Sequence, residues 1–247
     1  MQPTPAPGAA GAVVGAIRGW RPRLDTDVLA LIAGLAVALA CNGSFLAASL
    51  AGRSFASPST WAFAVALVVM LAALHTLLLG LVLHRRVAKP LLAVVIVVAA
   101  LATFYMGRFG VFLDPTMLRN TLRTNWGEAR ELIGGALALH MLLYAALPLL
   151  LLWRLQLVAR PLGRALVRRT VLLVGSVAVL AGTLLLVFQD FSSLMRNQRE
   201  LRYLITPANV GYSLARVVSL ETAVAAAPRA VVGPDAKLTA SARARTK

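Results

Sequence analysis

The sequence predicts an all-α membrane protein with five transmembrane helices and two amphipathic interfacial helices. Hydrophobic residues make up 59% of the 247 residues and charged residues only 14%, whereas a soluble domain carries about a quarter charged residues. The mean hydropathy is +0.78. Several apolar runs reach the roughly 20 residues that a helix needs to cross a bilayer. So much apolar surface cannot be buried in one core, and lipid is therefore the expected solvent.

The predicted spans cover residues 28–50, 61–83, 90–105, 136–157 and 170–188. The fourth contains Pro148, which predicts a kink, and Arg154 near its end, where a long side chain can reach the interface. These spans place the membrane domain at residues 25–209. Residues 1–24 begin with a Pro-, Gly- and Ala-rich stretch without the charged start of a signal peptide, and predict a disordered cytosolic arm. Residues 210–247 predict a periplasmic linker and tail.

The basic residues indicate the orientation. The chain has 25 Lys and Arg against 9 Asp and Glu, a net charge of +16. We exclude nucleic-acid binding because these residues form short clusters between apolar runs and no single stripe. More basic residues lie before the first span and in the loops after the second and fourth spans than in the loops after the first and third spans. The positive-inside rule then predicts a bacterial inner-membrane protein with a cytosolic N-terminus and a periplasmic C-terminus.

The segment between the third and fourth spans predicts one amphipathic helix over about residues 115–133. Asp114-Pro115 is a favourable helix start, with Asp as N-cap and Pro at the first helical position. At 100° per residue, one face of this helix is apolar. Asn120, Thr124 and Glu128, spaced i, i+4 and i+8, lie on the opposite face.

Two interpretations of this polar face remain open. It can be the solvated side of an interfacial helix. Alternatively, it binds a lipid head group, with Glu128 paired to an ammonium and with Asn120 and Thr124 contacting phosphate or glycerol oxygens. The neighbouring arginines would meet anionic lipid phosphates; they are Arg119, Arg123 and Arg130.

A second interfacial helix is predicted after the fifth span, over about residues 189–206. Its apolar face is formed by Phe188, Phe191, Leu194, Met195 and Ile205. Arg196, Arg199 and Arg202 follow one another in steps of three, and Pro207 ends the helix.

The two segments resemble the lipid A phosphoethanolamine transferases, a family that includes the transferable colistin-resistance enzymes. In the first segment the resemblance lies in Gly110-Val111-Phe112-Leu113-Asp114, Met117-Leu118, Asn120, Thr124 and Glu128-Ala129. In the second it lies in Phe191, the run from Arg196 to Ile205, Pro207 and Asn209. Two positions depart from the family pattern. Thr206 stands where the family usually has Asn, and Trp126-Gly127 replaces more helix-favouring residues, which predicts a looser helix there.

The resemblance implies a function. The family's membrane domain has five spans and presents phosphatidylethanolamine, whose head group passes to a threonine and then to a lipid A or lipopolysaccharide phosphate. The transfer takes place in a periplasmic, sulfatase-like zinc domain. Asn120, Thr124 and Glu128 match the family's residues for the donor head group.

The sequence shows no motif for the catalytic chemistry itself. The three histidines, His75, His84 and His140, lie in or beside spans, and a zinc site needs several ligands that converge. We therefore expect no zinc site, no catalytic nucleophile and no transfer by this chain alone. Two alternatives remain: a stand-alone membrane anchor or regulatory protein, and a small transporter. Spans nearly free of charged residues disfavour the transporter.

Overall fold

The computed structural model describes residues 21–226, and they form a helical bundle. The helices are α1 Thr26–Ala40, α2 Gly43–Leu50, α3 Pro58–Val82, α4 Ala88–Phe109, α5 Pro115–Arg123, α6 Trp126–Glu131, α7 Gly135–Arg154, α8 Leu162–Leu186, α9 Phe188–Asn197 and α10 Ala208–Ala226. A 3₁₀ helix covers Arg199–Leu204, and two short parallel strands pair β1 Arg23–Leu24 with β2 Gln156–Leu157.

The helices confirm the predicted all-α membrane fold class. Within residues 21–226, α3, α4, α7 and α8 are long and apolar enough to cross a bilayer individually. The helices α1 and α2 meet the same criteria as a pair, bent by 53° at the break between them. The irregularity predicted at Pro148 takes the form of a π-helical turn at Leu142–Ala146. A proline has no N–H to donate, so the hydrogen-bond pattern of the preceding turn must shift.

Polar contacts bring five helix ends together at what we term the first pole. Arg169, near the start of α8, pairs its Nε with Asp27 Oδ1 of α1 at 2.6 Å and donates to the Gly80 carbonyl near the end of α3. Lys89 Nζ, at the start of α4, donates to the Trp153 carbonyl at the end of α7, at 3.2 Å. An apolar cluster that includes Leu29 of α1, Leu92 of α4 and Leu152 of α7 joins these two groups, so every span has one end here.

The other ends lie at a second pole. There Arg53, just after α2, pairs with Asp190 of α9 at 2.9 Å. Because α1 begins at the first pole and α2 ends at the second, the bent pair crosses the bundle once. Counted with this pair as one span, residues 21–226 contain five candidate spans, the number that the sequence predicts. Helices α1 and α3 approach closely, since a Cβ at Gly34 would lie 2.4 Å from Thr76 Oγ1, which is typical of helix packing in membranes.

Asn42 occupies the break between α1 and α2. It is fully buried, and its side-chain amide donates to the Val37 carbonyl at 2.9 Å and to the Thr206 carbonyl at 3.0 Å. Its Oδ1 accepts a hydrogen bond from the Thr206 amide at 3.0 Å. A backbone break at membrane depth leaves polar groups that lipid cannot satisfy. The Val37 carbonyl also accepts the helical bond from the Cys41 amide at 3.0 Å. The groups that gain their partner from the Asn42 side chain are therefore the amide and carbonyl of Thr206, and these bonds attach the distant Thr206 loop to span 1.

Several predicted boundaries were wrong. Residues 23–24 of the predicted disordered arm pair in register with residues 156–157, while residues 1–20 lie outside the described part of the chain. The fourth span ends at Arg154, short of residue 157, and the fifth begins earlier than predicted, at Leu162. The extra turns at the start of α8 are stabilised by ion pairs with the start of span 1. Arg160 and Arg168 pair with Asp25, and Arg169 pairs with Asp27.

The predicted helix over residues 189–206 is divided at Gln198 into α9 and the 3₁₀ helix. The 3₁₀ helix has three residues per turn, so Leu201 and Leu204 share one face and are both buried. Arg199 and Arg202 are exposed on the same three-residue step. The three-residue spacing of Arg199 and Arg202 is therefore the pattern of a 3₁₀ helix, whereas Arg196 belongs to α9.

The predicted linker from residue 210 was also wrong as far as residue 226, because these residues belong to α10. Ser213 and Val217 are buried, and Val210 packs against the apolar cluster at the second pole. Their spacing of three, four and seven residues gives α10 a buried face. Residues 227–247 of the predicted tail lie outside the described residues.

Asp25 caps α1 at the first pole, and its environment predicts a pH-dependent stability. Burial raises the pKa of its carboxyl, but hydrogen bonds from the amides of Val28 and Asp27, together with Arg160, outweigh burial and bring this pKa below its ordinary value. A carboxyl with a lowered folded pKa stabilises the fold above its unfolded pKa, and this stability is lost as the pH falls through the folded pKa. We expect the thermal midpoint of the purified chain in detergent to fall below about pH 4, and less steeply in Asp25→Asn. Equal pH profiles would contradict this assignment.

We predict that truncating the Asn42 side chain destabilises the fold strongly. The substitution Asn42→Ala leaves the buried amide and carbonyl of Thr206 without their partner, and an unsatisfied buried group costs about 1–3 kcal/mol. We expect a lower thermal midpoint in detergent and faster hydrogen exchange in residues 199–210. The neighbouring Cys41→Ala is the matched control, and equal midpoints for the two variants would refute the role given to Asn42.

Candidate functional site: an apolar cleft at the second pole

An apolar cleft of about 560 Å³ opens at the second pole. It lies where α4 meets α5, α6 and the loop of residues 110–114 that joins α4 to α5. Its walls are mostly aliphatic and aromatic side chains of α4 and α5, closed at one side by Val210 of α10. Tyr105 and Phe109, one turn apart on α4, stack with their ring centroids 5.9 Å apart. The cleft is therefore shaped for an apolar ligand.

The chain reverses direction between α4 and α5 to form this cleft. Helix α4 ends at Gly110, whose φ of +64° is a backbone conformation that glycine adopts readily. Asp114 caps α5 as the sequence predicts, accepting a hydrogen bond from the Met117 amide at 2.7 Å, and Pro115 occupies the first turn. Ser213 Oγ of α10 donates to the Leu113 carbonyl at 2.7 Å, which holds the turn in place.

Two of the three predicted head-group residues lie at this cleft. Asn120 and Thr124 both line it, and Thr124 Oγ1 donates to the Asn120 carbonyl at 3.0 Å. The side-chain amide of Asn120 is exposed and makes no hydrogen bond within residues 21–226. Asn120 thus presents a free donor and acceptor beside an otherwise apolar surface.

Glu128 does not share a helical face with these two residues, so the predicted continuous helix was wrong. Helix α5 ends at Arg123, Thr124 is extended with ψ 130°, and α6 begins at Trp126. Asn125 caps α6: its Oδ1 accepts from the Glu128 amide at 3.0 Å, while its Nδ2 donates to Glu128 Oε1 at 2.8 Å. The reciprocal pair resembles a capping box. Glu128 is exposed and does not line the cleft.

Two of the three arginines expected to meet lipid phosphates have a protein partner. Arg123 Nη2 lies 3.0 Å from Glu221 Oε1 of α10, and Arg119 Nε lies 3.9 Å from the same oxygen. The helical wheel could not include Glu221, because this residue lies in the segment that the sequence suggested was a linker. Arg130 is exposed and makes no ion pair within the described part of the chain.

The sequence of this region identifies the family. The family model "Phosphoethanolamine transferase EptA/EptB" matches residues 71–222, which is more than half of the chain and includes both segments on which the resemblance rested. The chain belongs to this family. The chain is accordingly the membrane domain of a phosphoethanolamine transferase, and the predicted family assignment is confirmed. Its spans and its family also make it an inner-membrane protein.

Curated relatives agree with this assignment. The chain is similar to two phosphatidylethanolamine transferases of Escherichia coli, Mcr-1 and Mcr-2, with 25% identity to each. The matches cover 84% and 85% of this chain. The chain spans only 38% of the length of either relative.

A solved structure shares the fold. The lipooligosaccharide phosphoethanolamine transferase A of Neisseria meningitidis, an integral membrane protein, superimposes with a TM-score of 0.78 at 22% identity. The superposition covers 86% of this chain and 41% of that protein. The comparison supports the arrangement of the spans and of the helices at the second pole.

The zinc implied by the family has no fitting ligand set among the described residues. No group of three His, Cys, Asp or Glu side chains in residues 21–226 is close enough to hold a metal ion. His75 lies inside the bundle with Nδ1 2.7 Å from the Leu71 carbonyl, and His140 stacks on Tyr144. We assign no step of metal chemistry to these residues.

Sequence reasoning missed the aromatic wall of the cleft and the cap of α6. Tyr105 is the last residue of the predicted third span and Phe109 lies just beyond it, where large apolar residues carry no separate signal. Asn125 does carry a sequence signal, because Asn followed three residues later by Glu is typical of the start of a helix. That start, together with Gly127, competes with a helix that runs straight through from Pro115.

The substitution Asn125→Ala tests the break directly, because the two helix arrangements predict opposite signs. As an N-cap, Asn125 is worth about 1 kcal/mol to α6 relative to Ala. In the interior of a continuous helix, the same change would be stabilising. We expect faster amide exchange at residues 126–131, measured by hydrogen–deuterium exchange. Slower exchange would show that a continuous helix covers this segment.

Proposed function

We propose that this membrane domain presents phosphatidylethanolamine for transfer of its head group to lipid A or lipopolysaccharide. The observation that carries the proposal is the position of Asn120 and Thr124 at an apolar cleft in a member of the phosphoethanolamine transferase family. A lipid has an apolar body and a polar end. The cleft likewise has an apolar wall, with the polar side chains of Asn120 and Thr124 beside it.

The cleft matches the parts of the lipid as follows. The aliphatic wall and the Tyr105 and Phe109 rings take the acyl chains near the glycerol. The free amide of Asn120 hydrogen-bonds to phosphate or glycerol oxygens, beside Thr124. Glu128 lies outside the cleft, on α6; its Oε1 accepts from Asn125, which leaves the other carboxylate oxygen available for an ammonium that extends beyond the cleft.

The proposed orientation places the second pole on the periplasmic side and the N-terminus in the cytosol. The first pole contains the arginine cluster of the α7–α8 loop and of the start of α8, as the positive-inside rule requires of the cytosolic side. Asp25 and Asp27 pair with three of these arginines. The cleft then faces the compartment in which lipid A would meet the donor.

We propose that the transfer step itself needs a zinc-dependent catalytic domain acting at the second pole. The supporting observations are the family membership and the absence of a metal-ligand group from residues 21–226. In this division of roles the described residues bind and orient the donor, and they leave its phosphorus exposed at the membrane surface.

Glu128→Gln tests the head-group assignment. The amide oxygen can still accept from Asn125 Nδ2, so the cap of α6 is retained while the negative charge is lost. We expect the affinity of the purified chain for short-chain phosphatidylethanolamine in detergent to fall about tenfold, the effect of losing one charge-assisted hydrogen bond. Affinity for phosphatidylglycerol, which has no ammonium, should not change.

Glu131→Gln is the matched control, because Glu131 is an exposed carboxylate on the same helix with no ion pair in the described residues. It should bind as the unmodified chain does. If Glu128→Gln leaves both affinity and head-group preference intact, Glu128 does not read the ammonium. If the unmodified chain shows no preference for phosphatidylethanolamine, donor presentation is excluded and a membrane-anchor function is favoured.

A further inference from the structure

A second, polar cleft lies at the same pole, between the end of α2 and α9. Its volume is about 370 Å³. Unlike the cleft at Asn120, it is lined largely by polar side chains, and the two clefts have no lining residue in common. Its polar lining consists of Ser49, Arg53, Gln189, Asp190, Ser193, Asn197 and Gln198.

One cation and one carboxylate form the charged part of this cleft. Arg53 Nη2 lies 2.9 Å from Asp190 Oδ1, with 29% of the arginine and 53% of the aspartate side chain exposed. The guanidinium also lies over the Phe63 ring, 4.1 Å from its centroid, which fixes its position. An exposed pair of this kind contributes at most about 1 kcal/mol, so a ligand can separate it at little cost. The two charges are complementary to a ligand that carries both signs.

Ser49 supplies the independent observation. It is 2% exposed and lines the cleft, yet its Oγ has no hydrogen-bond partner in the described part of the chain. A buried hydroxyl without a partner costs about 1–3 kcal/mol. The Oγ is enclosed by protein, and a turn of the side chain towards the cleft would let an acceptor oxygen bound there remove this cost.

The surroundings place the cleft at the depth of lipid head groups. Phe55 and Trp61 flank the same end of span 2, and both are about half exposed, as interfacial aromatic anchors are. Below α9, Leu185 and Leu186 at the end of span 5 are 74% and 86% exposed. They offer an apolar surface for acyl chains within four residues of Gln189, which lines the polar cleft.

We propose that this cleft is a separate binding site for a zwitterionic phosphodiester with a primary ammonium group. Arg53 and Ser49 take the phosphate oxygens, and Asp190 takes the ammonium. Phospholipid head groups and soluble glycerophosphodiesters share this chemistry. The site is independent of the head-group site proposed at Asn120 and Glu128, so either can fail without the other.

The test uses the full chain in nanodiscs, with Gln189→benzoylphenylalanine as a photoreactive probe within the cleft. Radiolabelled phosphatidylethanolamine and phosphatidylglycerol are compared at equal mole fractions. We expect several-fold more labelling by phosphatidylethanolamine. Ser49→Ala should reduce it about tenfold, the loss of one hydrogen bond to a charged group. Asp190→Asn should remove the difference between the two lipids.

The controls separate binding from structure. Ser44→Ala, on the same helix but outside the cleft, should label as the unmodified chain does. Ser49→Ala removes an unpartnered hydroxyl, so its thermal midpoint should be unchanged or higher, which excludes unfolding as the cause of lost labelling. Asn120→Ala should also label normally, which separates this site from the one under the proposed function.

An excess of soluble glycerophosphoethanolamine distinguishes the two ligand sources. Competition shows that the head group alone is recognised, and its absence shows that the lipid in its membrane is the ligand; both outcomes support the site. Full labelling in Ser49→Ala, equal labelling by the two lipids in the unmodified chain, or loss of labelling in Asn120→Ala would overturn it.

Discussion

The break in span 1 and the side chain that fills it determine the arrangement at the second pole. Asn42, at the break, bonds to the Val37 carbonyl and to both the amide and the carbonyl of Thr206, buried polar groups for which lipid offers no partner. The Thr206 loop is thereby held in the bundle, where Asn209 Nδ2 donates to the Tyr203 carbonyl at 2.7 Å and starts α10 in a fixed place. A single buried amide thus fixes a loop that is 164 residues away in sequence, and with it the start of α10.

The two clefts depend on this arrangement from opposite sides. Helix α10, started by the Thr206 loop, holds the α4–α5 turn through Ser213 and holds α5 through Glu221, which positions Asn120 at the apolar cleft. The bend beside Asn42 directs α2 towards α9, so that Ser49 and Arg53 face Asp190 in the polar cleft. The surface proposed to present the lipid is therefore built from short polar segments, without any charged residue in the middle of the spans.

The spans were predictable and the connections between their ends were not, for a physical reason. Transfer of apolar side chains into lipid is a sum over residues, so hydropathy along the sequence locates α3 and α4 without knowledge of their neighbours. The extents and positions of α5, α6 and α10 depend in contrast on contacts with residues far away in sequence. The wheel aligned Asn120, Thr124 and Glu128 only because it assumed one continuous helix. The break was encoded locally in Asn125 and Glu128, whereas the pairing of Arg123 with Glu221 depends on a helix that composition alone suggested was a linker.

The break changes what kind of site the three predicted residues can form. Asn120 and Thr124 belong to the end of α5, which is fixed by the Asp114 cap and by contacts to α10. Glu128 belongs to a six-residue helix that buries none of its residues, and so short a helix has little stability of its own. Its orientation comes mainly from the two hydrogen bonds with Asn125. The part of the proposed site that would hold glycerol and phosphate is therefore anchored by packing. The part that would bind the ammonium is anchored by one cap. A ligand can therefore move Glu128 at a lower free-energy cost than Asn120 or Thr124.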